Sequence, residues 1–152
     1  MIDMIFAGIG TAASAIQTLR NLAKSTKGLE RSFLLEIQQN IRLLEEFYRK
    51  DLDADKTIGE LETDNFLKII ESNFNFNKLQ RKKVSEKTIG GIKSLDRYVN
   101  WDTEKLVTNI FQKIIHLQKL TRIGYNSSKF NLRQRLKNLL ILKIMLSKHI
   151  KS

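Results

Sequence analysis

"LLILKIML", residues 139–146, is apolar nearly all the way round a helix. A surface helix keeps a polar face, so a helix without one must be covered on every side. The run from about Lys129 to the C-terminus is therefore expected to be the central helix of a bundle. Everything upstream is then read as what covers it. The fold expected is all-α, an antiparallel helical bundle of about five or six helices, as a single domain over residues 1–152. The chain has no proline, which suits long helices, since proline is the strongest helix breaker.

The first covering segment is "MIDMIFAGIGTAASAIQTLRNLAK", residues 1–24. Ile2, Ile5, Ile9, Ala12, Ile16, Leu19 and Ala23 recur at steps of three and four, the spacing of a packed seam. Gly8, Gly10, Ala12, Ala13 and Ala15 make this helix thin and suit close approach by another helix. Two readings are open. Either the helix packs in its own bundle, or it presents Ile5, Ile9 and Ile16 to a protein partner, a second copy or a membrane. The 16 uncharged residues between Asp3 and Arg20 fall short of the roughly 20 that span a bilayer. Ala13-Ser14-Ala15 resembles a signal cleavage site, but Asp3 without a positive side chain is the wrong leader, so a cytoplasmic location is expected.

Gly28 suits a helix C-cap, and a second helix is expected from Leu29 to Lys50 on the stripe Leu34, Ile37, Ile41, Leu44 and Tyr48. Phe33 and Phe47 widen that stripe, and Glu36 and Asn40, one turn apart at its edge, are expected to bond to each other. A short helix comes next, with Phe66, Leu67, Ile69 and Ile70 as its apolar face. "NFNFN" (73–77) turns the chain, with Asn75 or Asn77 as a cap. A basic helix is expected over Lys78–Asn100, broken at Gly90-Gly91. Then Asp102 caps a helix to about Ile123, with Glu104 in its first turn and Trp101 stapled on Leu106. Gly124 and "YNSS" end it.

"DLDADKTIGELE" (51–62) puts Asp51, Asp53, Asp55 and Glu62 at positions one, three, five and twelve of a calcium loop, with Ile58 at position eight. Position six, where glycine makes the sharp turn, is Lys56, and Lys50 stands where an apolar residue should precede the loop. The stretch is read as an acidic corner between helices, with no metal and no cofactor expected.

Charge divides the chain. Residues 1–62 hold 8 Lys/Arg and 10 Asp/Glu, a net of −2, while residues 63–152 hold 19 and 6, a net of +13. No carboxylate side chain comes after Glu104. Such asymmetry points to an anionic partner. Lys78, Arg81, Lys82 and Lys83 on one helix, and Lys129, Arg133 and Lys137 at four-residue steps on another, are the expected phosphate contacts. Tyr125 and Phe130 are the only nearby rings, too few for base stacking.

Catalytic constellations are scarce. Without cysteine there is no thiol nucleophile or thiolate metal site. His116 and His149 sit inside helical patterns, without the closely spaced arginine of helical ribonucleases. "GIGTAAS" (8–14) lacks the lysine of a phosphate loop. The function expected is that of a small non-enzymatic subunit of a larger intracellular bacterial assembly, in the general style of ribonucleoprotein or phage-defence complexes. Its N-terminal helix would hold protein partners and its basic half would face nucleic acid, with no small-molecule substrate. A membrane-engaging bundle or a plain oligomerisation module is the alternative.

Overall fold

The computed structural model describes residues 9–124 and 131–152. Among them the chain is all-helical, with no strand. Seven α-helices are present among the described residues: α1 (Ala12–Lys24), α2 (Gly28–Lys50), α3 (Ala54–Glu60), α4 (Asp64–Glu71), α5 (Glu86–Ile89), α6 (Thr103–Arg122) and α7 (Leu132–Lys151). Two 3₁₀ turns, Phe76–Lys78 and Lys93–Tyr98, lie between α4 and α6.

Helix α7 is the centre of the bundle, as its all-round apolar character requires. It packs against α1, α2, α3, α5 and α6, and every residue from Leu139 to Ser147 is buried. Its neighbours present single stripes. Ala12, Ala15, Leu19 and Ala23 are the buried face of α1, and small side chains there let α2 lie close along it. The expected onset of α1 is corrected for the described residues. Thr11 and Ser14 form a reciprocal capping box at 3.1 and 3.2 Å, so this helix starts at Ala12. Gly10 precedes it at φ +104°, and an added Cβ would stand 3.1 Å from the Ser14 hydroxyl oxygen. Gly28 opens α2 rather than capping α1, whose C-cap is Ser25.

Four phenylalanines from separate segments meet in the core: Phe33 (α2), Phe66 (α4), Phe76 (3₁₀ turn) and Phe111 (α6). Phe66 and Phe111 stack at 4.3 Å, and Phe33 stands 5.1 Å from Phe76 and 5.6 Å from Phe111. The Lys143 ammonium of α7 sits 4.5 Å from the Phe111 ring centre, and the residue is wholly buried.

The acidic stretch is a structured corner. Asp51 is a left-handed C-cap for α2 (φ 51°), and the Asp53 carboxylate caps α3 by accepting from the Lys56 N–H at 2.9 Å. Glu36 and Asn40 are both buried, but the bond expected between them gives way to bonds across the fold. Asn40 accepts from the Glu62 N–H and donates to the Glu62 carbonyl, at 2.8 and 2.9 Å. The Glu36 carboxylate accepts from Asn65 N–H and Phe66 N–H, at 2.8 and 2.9 Å, in the first turn of α4. Gln118 of α6 donates to Ile58 and Leu61 carbonyls at 3.1 and 2.8 Å from the other side. The α3–α4 joint is thus pinned by side chains from two long helices. On α4, Phe66 and Ile69 are buried as expected, while Leu67 and Ile70 are exposed.

The expected basic helix over Lys78–Asn100 does not form. In its place stand a 3₁₀ turn, an extended stretch, the one-turn α5 and a second 3₁₀ turn. Its backbone and side chains are committed to tertiary partners, which overrides local helix propensity. Asn77 accepts from the Glu104 N–H at the start of α6 (2.9 Å). Gln80 donates to the His149 carbonyl (3.3 Å). Val84 N–H donates to the Trp101 carbonyl and Asn100 N–H to the Val84 carbonyl, at 2.9 and 2.8 Å, closing the excursion at its base. Gly90 ends α5 at φ 59°, the break expected there. Asn75 caps the first 3₁₀ turn and Asp102 caps α6 as expected. Trp101 packs edge-on against Tyr98 at 4.8 Å, with Lys105 4.2 Å above it.

Candidate anion-binding cleft

The expected site residues scatter. Asp51, Asp53, Asp55 and Glu62 do not make a calcium loop, because α3 occupies positions four to ten of it. Among the described residues no cluster of three or more metal-ligating side chains exists. Lys78, Arg81, Lys82 and Lys83 are all exposed, but the helix face they were to share is absent, since residues 79–85 are not helical. Lys129, like Ile5, Tyr125 and Phe130, lies outside the described residues. Arg133 is engaged within the chain: it pairs with Asp51 at 2.6 Å and lies over the rings of Tyr48 and Phe47, at 5.1 and 5.4 Å. Tyr48 donates its hydroxyl hydrogen to the Arg133 carbonyl, so the start of α7 is tied to the end of α2. Lys137 is half-buried. Ile9 is 3 % exposed and belongs to this chain's own core, and Ile16 packs partly buried against it. Ile9 offers a partner no surface in this conformation.

A different set of cations does converge. A cleft of about 660 Å³ opens between the second 3₁₀ turn, α6 and α7. Arg97 enters from the turn, Lys113 and His116 from α6, and Arg135 from α7. Leu95, Leu117, Leu139 and Leu142 form an apolar floor, and Asn109, Gln112 and Asn138 supply carboxamides. No aspartate or glutamate is among the lining residues. Its volume lies in the usual range for small-ligand sites.

Local chemistry sets each position. The second 3₁₀ turn presents Arg97, whose guanidinium donates to the Tyr98 hydroxyl at 2.7 Å and lies 4.9 Å from that ring's centre. Tyr98 is itself 2 % exposed, so the arginine stem rests on a fixed platform. Lys113 and His116 lie one turn apart on α6, beside the buried Leu117. Burial holds the Lys113 amine below its ordinary value, and the positive charges of Arg97 and Arg135 push it the same way. A neighbouring depression of about 380 Å³ shares Asn109 and Gln112 but is edged by Asp102 and Glu104. Lys105 lines it as well, so both signs of charge stand on that side.

His149 is not part of the cleft. Its Nε2 stands 2.8 Å from the Thr103 hydroxyl, which donates its own hydrogen to the Gln80 carbonyl at 2.6 Å. The imidazole must then be the donor, leaving Nδ1 as a buried acceptor without a protein partner among the described residues. Burial lowers its pKa, which keeps the ring neutral.

Sequence reasoning did not single out Arg97, Lys113, His116 and Arg135 as a site, because the three segments that carry them lie apart in the chain. Only Lys113 and His116 share a readable helical spacing. No protein-family model, curated protein or solved structure matches this chain.

Proposed function

We propose that this chain is a non-catalytic helical subunit of a larger cytoplasmic assembly, and that it contacts the phosphate backbone of nucleic acid. The observation that carries this reading is the cleft lined by Arg97, Lys113 and Arg135 with no lining carboxylate. The net charge of +13 over residues 63–152 extends the same field beyond the cleft. Guanidinium groups and ammoniums meeting at one place suit phosphate, which accepts several charge-assisted hydrogen bonds at once. Among the described residues no helix is long and apolar enough to cross a bilayer.

Salt titration of single-stranded oligonucleotide binding tests this. Each phosphate contact on a single strand contributes about −0.7 to the slope of log K against log salt. The triple variant Arg97→Gln, Lys113→Gln, Arg135→Gln should flatten the slope by about 2 units. Affinity should fall alike for unrelated sequences, since backbone contacts carry no base information. Absence of any salt-dependent retention of RNA or DNA by the native protein would sink the proposal.

A further inference from the structure

The far end of the bundle carries a second positive surface, set apart from the cleft. Arg135, the cleft's cation on α7, and Lys148 near the end of that helix are about 20 Å apart at 1.5 Å per residue. Beside the last turn of α7, residues 78–87 carry Lys78, Arg81, Lys82, Lys83 and Lys87, all exposed, and Lys151 is exposed on α7 itself. Hydrogen bonds bring the two segments together. Gln80 donates to the His149 and Ile150 carbonyls at 3.3 and 3.4 Å, and its side-chain oxygen accepts from the Lys82 N–H at 3.0 Å. The half-buried Lys148 donates to the Lys87 carbonyl at 2.9 Å, so it ties α5 to α7 and is not counted with the surface.

None of the six exposed cations forms an ion pair among the described residues. The nearby anions are few: Glu86 stands within the segment, and Asp102 and Glu104 open α6, where Asn77 accepts from the Glu104 N–H. The carbonyl end of α7 amounts to about half a negative charge, which suits Lys148 and Lys151. It does not call for the further cations of a separate segment. The support beneath them is ordered. Gln80 is bonded at both ends of its side chain, and Val84 is 1 % exposed and bonded to Trp101 and Asn100 through its backbone. Such a surface loses less conformational freedom on binding than a basic tail does.

What surrounds the cations selects the partner. The rings near them are engaged: Phe76 and Tyr98 are each 2 % exposed, Phe74 packs edge-on against Phe76, and Lys105 lies over Trp101. No ring is left for a base to stack on, so a single strand would be held by its phosphates alone. A duplex turns its bases inward and offers about one charge per 1.7 Å, against 3.4 Å for one strand. No large apolar side chain is exposed in residues 78–87 or 148–152, which leaves nothing to enter a lipid headgroup layer.

We infer that this basic end, with Arg81, Lys82 and Lys83 at its middle, is a docking surface for the phosphate backbone of double-stranded nucleic acid. The inference rests on the reading that the chain's anionic partner is nucleic acid, and it adds a second surface and the form of the partner.

The experiment is salt-dependent fluorescence anisotropy of the full chain with a short duplex of arbitrary sequence and with one of its strands alone. At low salt the duplex should bind about tenfold more tightly than the strand. The triple variant Arg81→Gln, Lys82→Gln, Lys83→Gln should melt with the wild type, since these side chains are exposed and unpaired. It should flatten the duplex slope of log K against log salt by about 2 to 3 units, at about −0.9 per contact. If this variant binds duplex as the wild type does, the inference is overturned, while the cleft proposal stands on its own single-strand test. If it loses duplex binding and the cleft variant keeps the wild-type slope on single strands, the inference holds and the cleft proposal falls. Equal affinity for duplex and single strand would overturn the choice of duplex. Vesicles of phosphatidylserine and phosphatidylcholine are the rival partner: binding to them, lost in the triple variant, with no binding to duplex, would make the surface a lipid contact and overturn the inference. Failure to bind either form of nucleic acid overturns both readings.

Discussion

Lys143 is the least expected residue in the molecule. It interrupts the most apolar stretch of α7, and its amine is buried without a hydrogen-bond partner among the described residues. Phe111 offers the face of its ring, and Glu36 supplies opposite charge at longer range. Desolvation outweighs both and pulls the amine from 10.5 down to about 7. Between pH 7 and 10.5 the unfolded chain holds a proton that the folded chain releases, so stability rises with pH across that window. The rise is up to about 5 kcal/mol, with Lys113 and Lys148 adding in the same direction. Above pH 10.5 it reverses, because burial pushes the Tyr48 hydroxyl up to about 12 and the unfolded chain ionises first. Lys143→Met keeps the volume and removes the amine. It should stabilise the protein at pH 7 by about 1–4 kcal/mol and remove most of the rise between pH 7 and 10.5. Urea midpoints at several pH values measure both, and an unchanged slope in the variant would refute Lys143 as the source.

Among the elements, the α3–α4 joint depends on groups far away in the chain. Helix α3 is 7 residues and α4 is 8, each too short to be stable alone. Asn40 supplies what they lack by bonding both backbone groups of Glu62. Asn40→Ala should cost about 1–3 kcal/mol and speed hydrogen exchange at Leu61 and Glu62 before global unfolding. Asn21→Ala is the control. Asn21 accepts from Gln17 at 3.0 Å on the exposed face of α1, and its loss should stay within about 0.5 kcal/mol. Equal costs for the two variants would mean that the joint is not held from α2. The Arg133–Asp51 pair closes another joint, but both partners are largely exposed, so its contribution is geometric rather than energetic.

Over the whole molecule, charge works against folding. The net charge is +11, and the positive excess lies in residues 63–152. Self-repulsion of that half weakens the compact state and is screened by salt, whose Debye length is about 10 Å at 0.1 M. Raising sodium chloride from about 20 to 200 mM should therefore raise Tm by a few degrees. A fall in Tm would show instead that attractive pairs dominate the surface.

The all-helical class and the central place of α7 were legible because both rest on the periodicity of one segment. Asp102 as the cap of α6, Asn75 as the cap of a turn and Gly90 as the end of α5 were legible for a related reason: each acts within a few residues of itself. The same local logic overreached at Lys78–Asn100, where helix-forming residues spend their hydrogen bonds on α6, α7 and each other. At Asp51–Glu62, read from the sequence as an acidic corner, the ligand-like spacing is taken up by caps and a short helix. The cleft could not be read in advance, since Arg97, Lys113 and Arg135 approach only when the second 3₁₀ turn, α6 and α7 are packed. Glu36, Asn40 and Lys143 obey the same rule in the interior. Hydrophobic spacing says which face of a helix is buried, but a buried polar group is explained by its partner, and its partner is chosen by the tertiary structure.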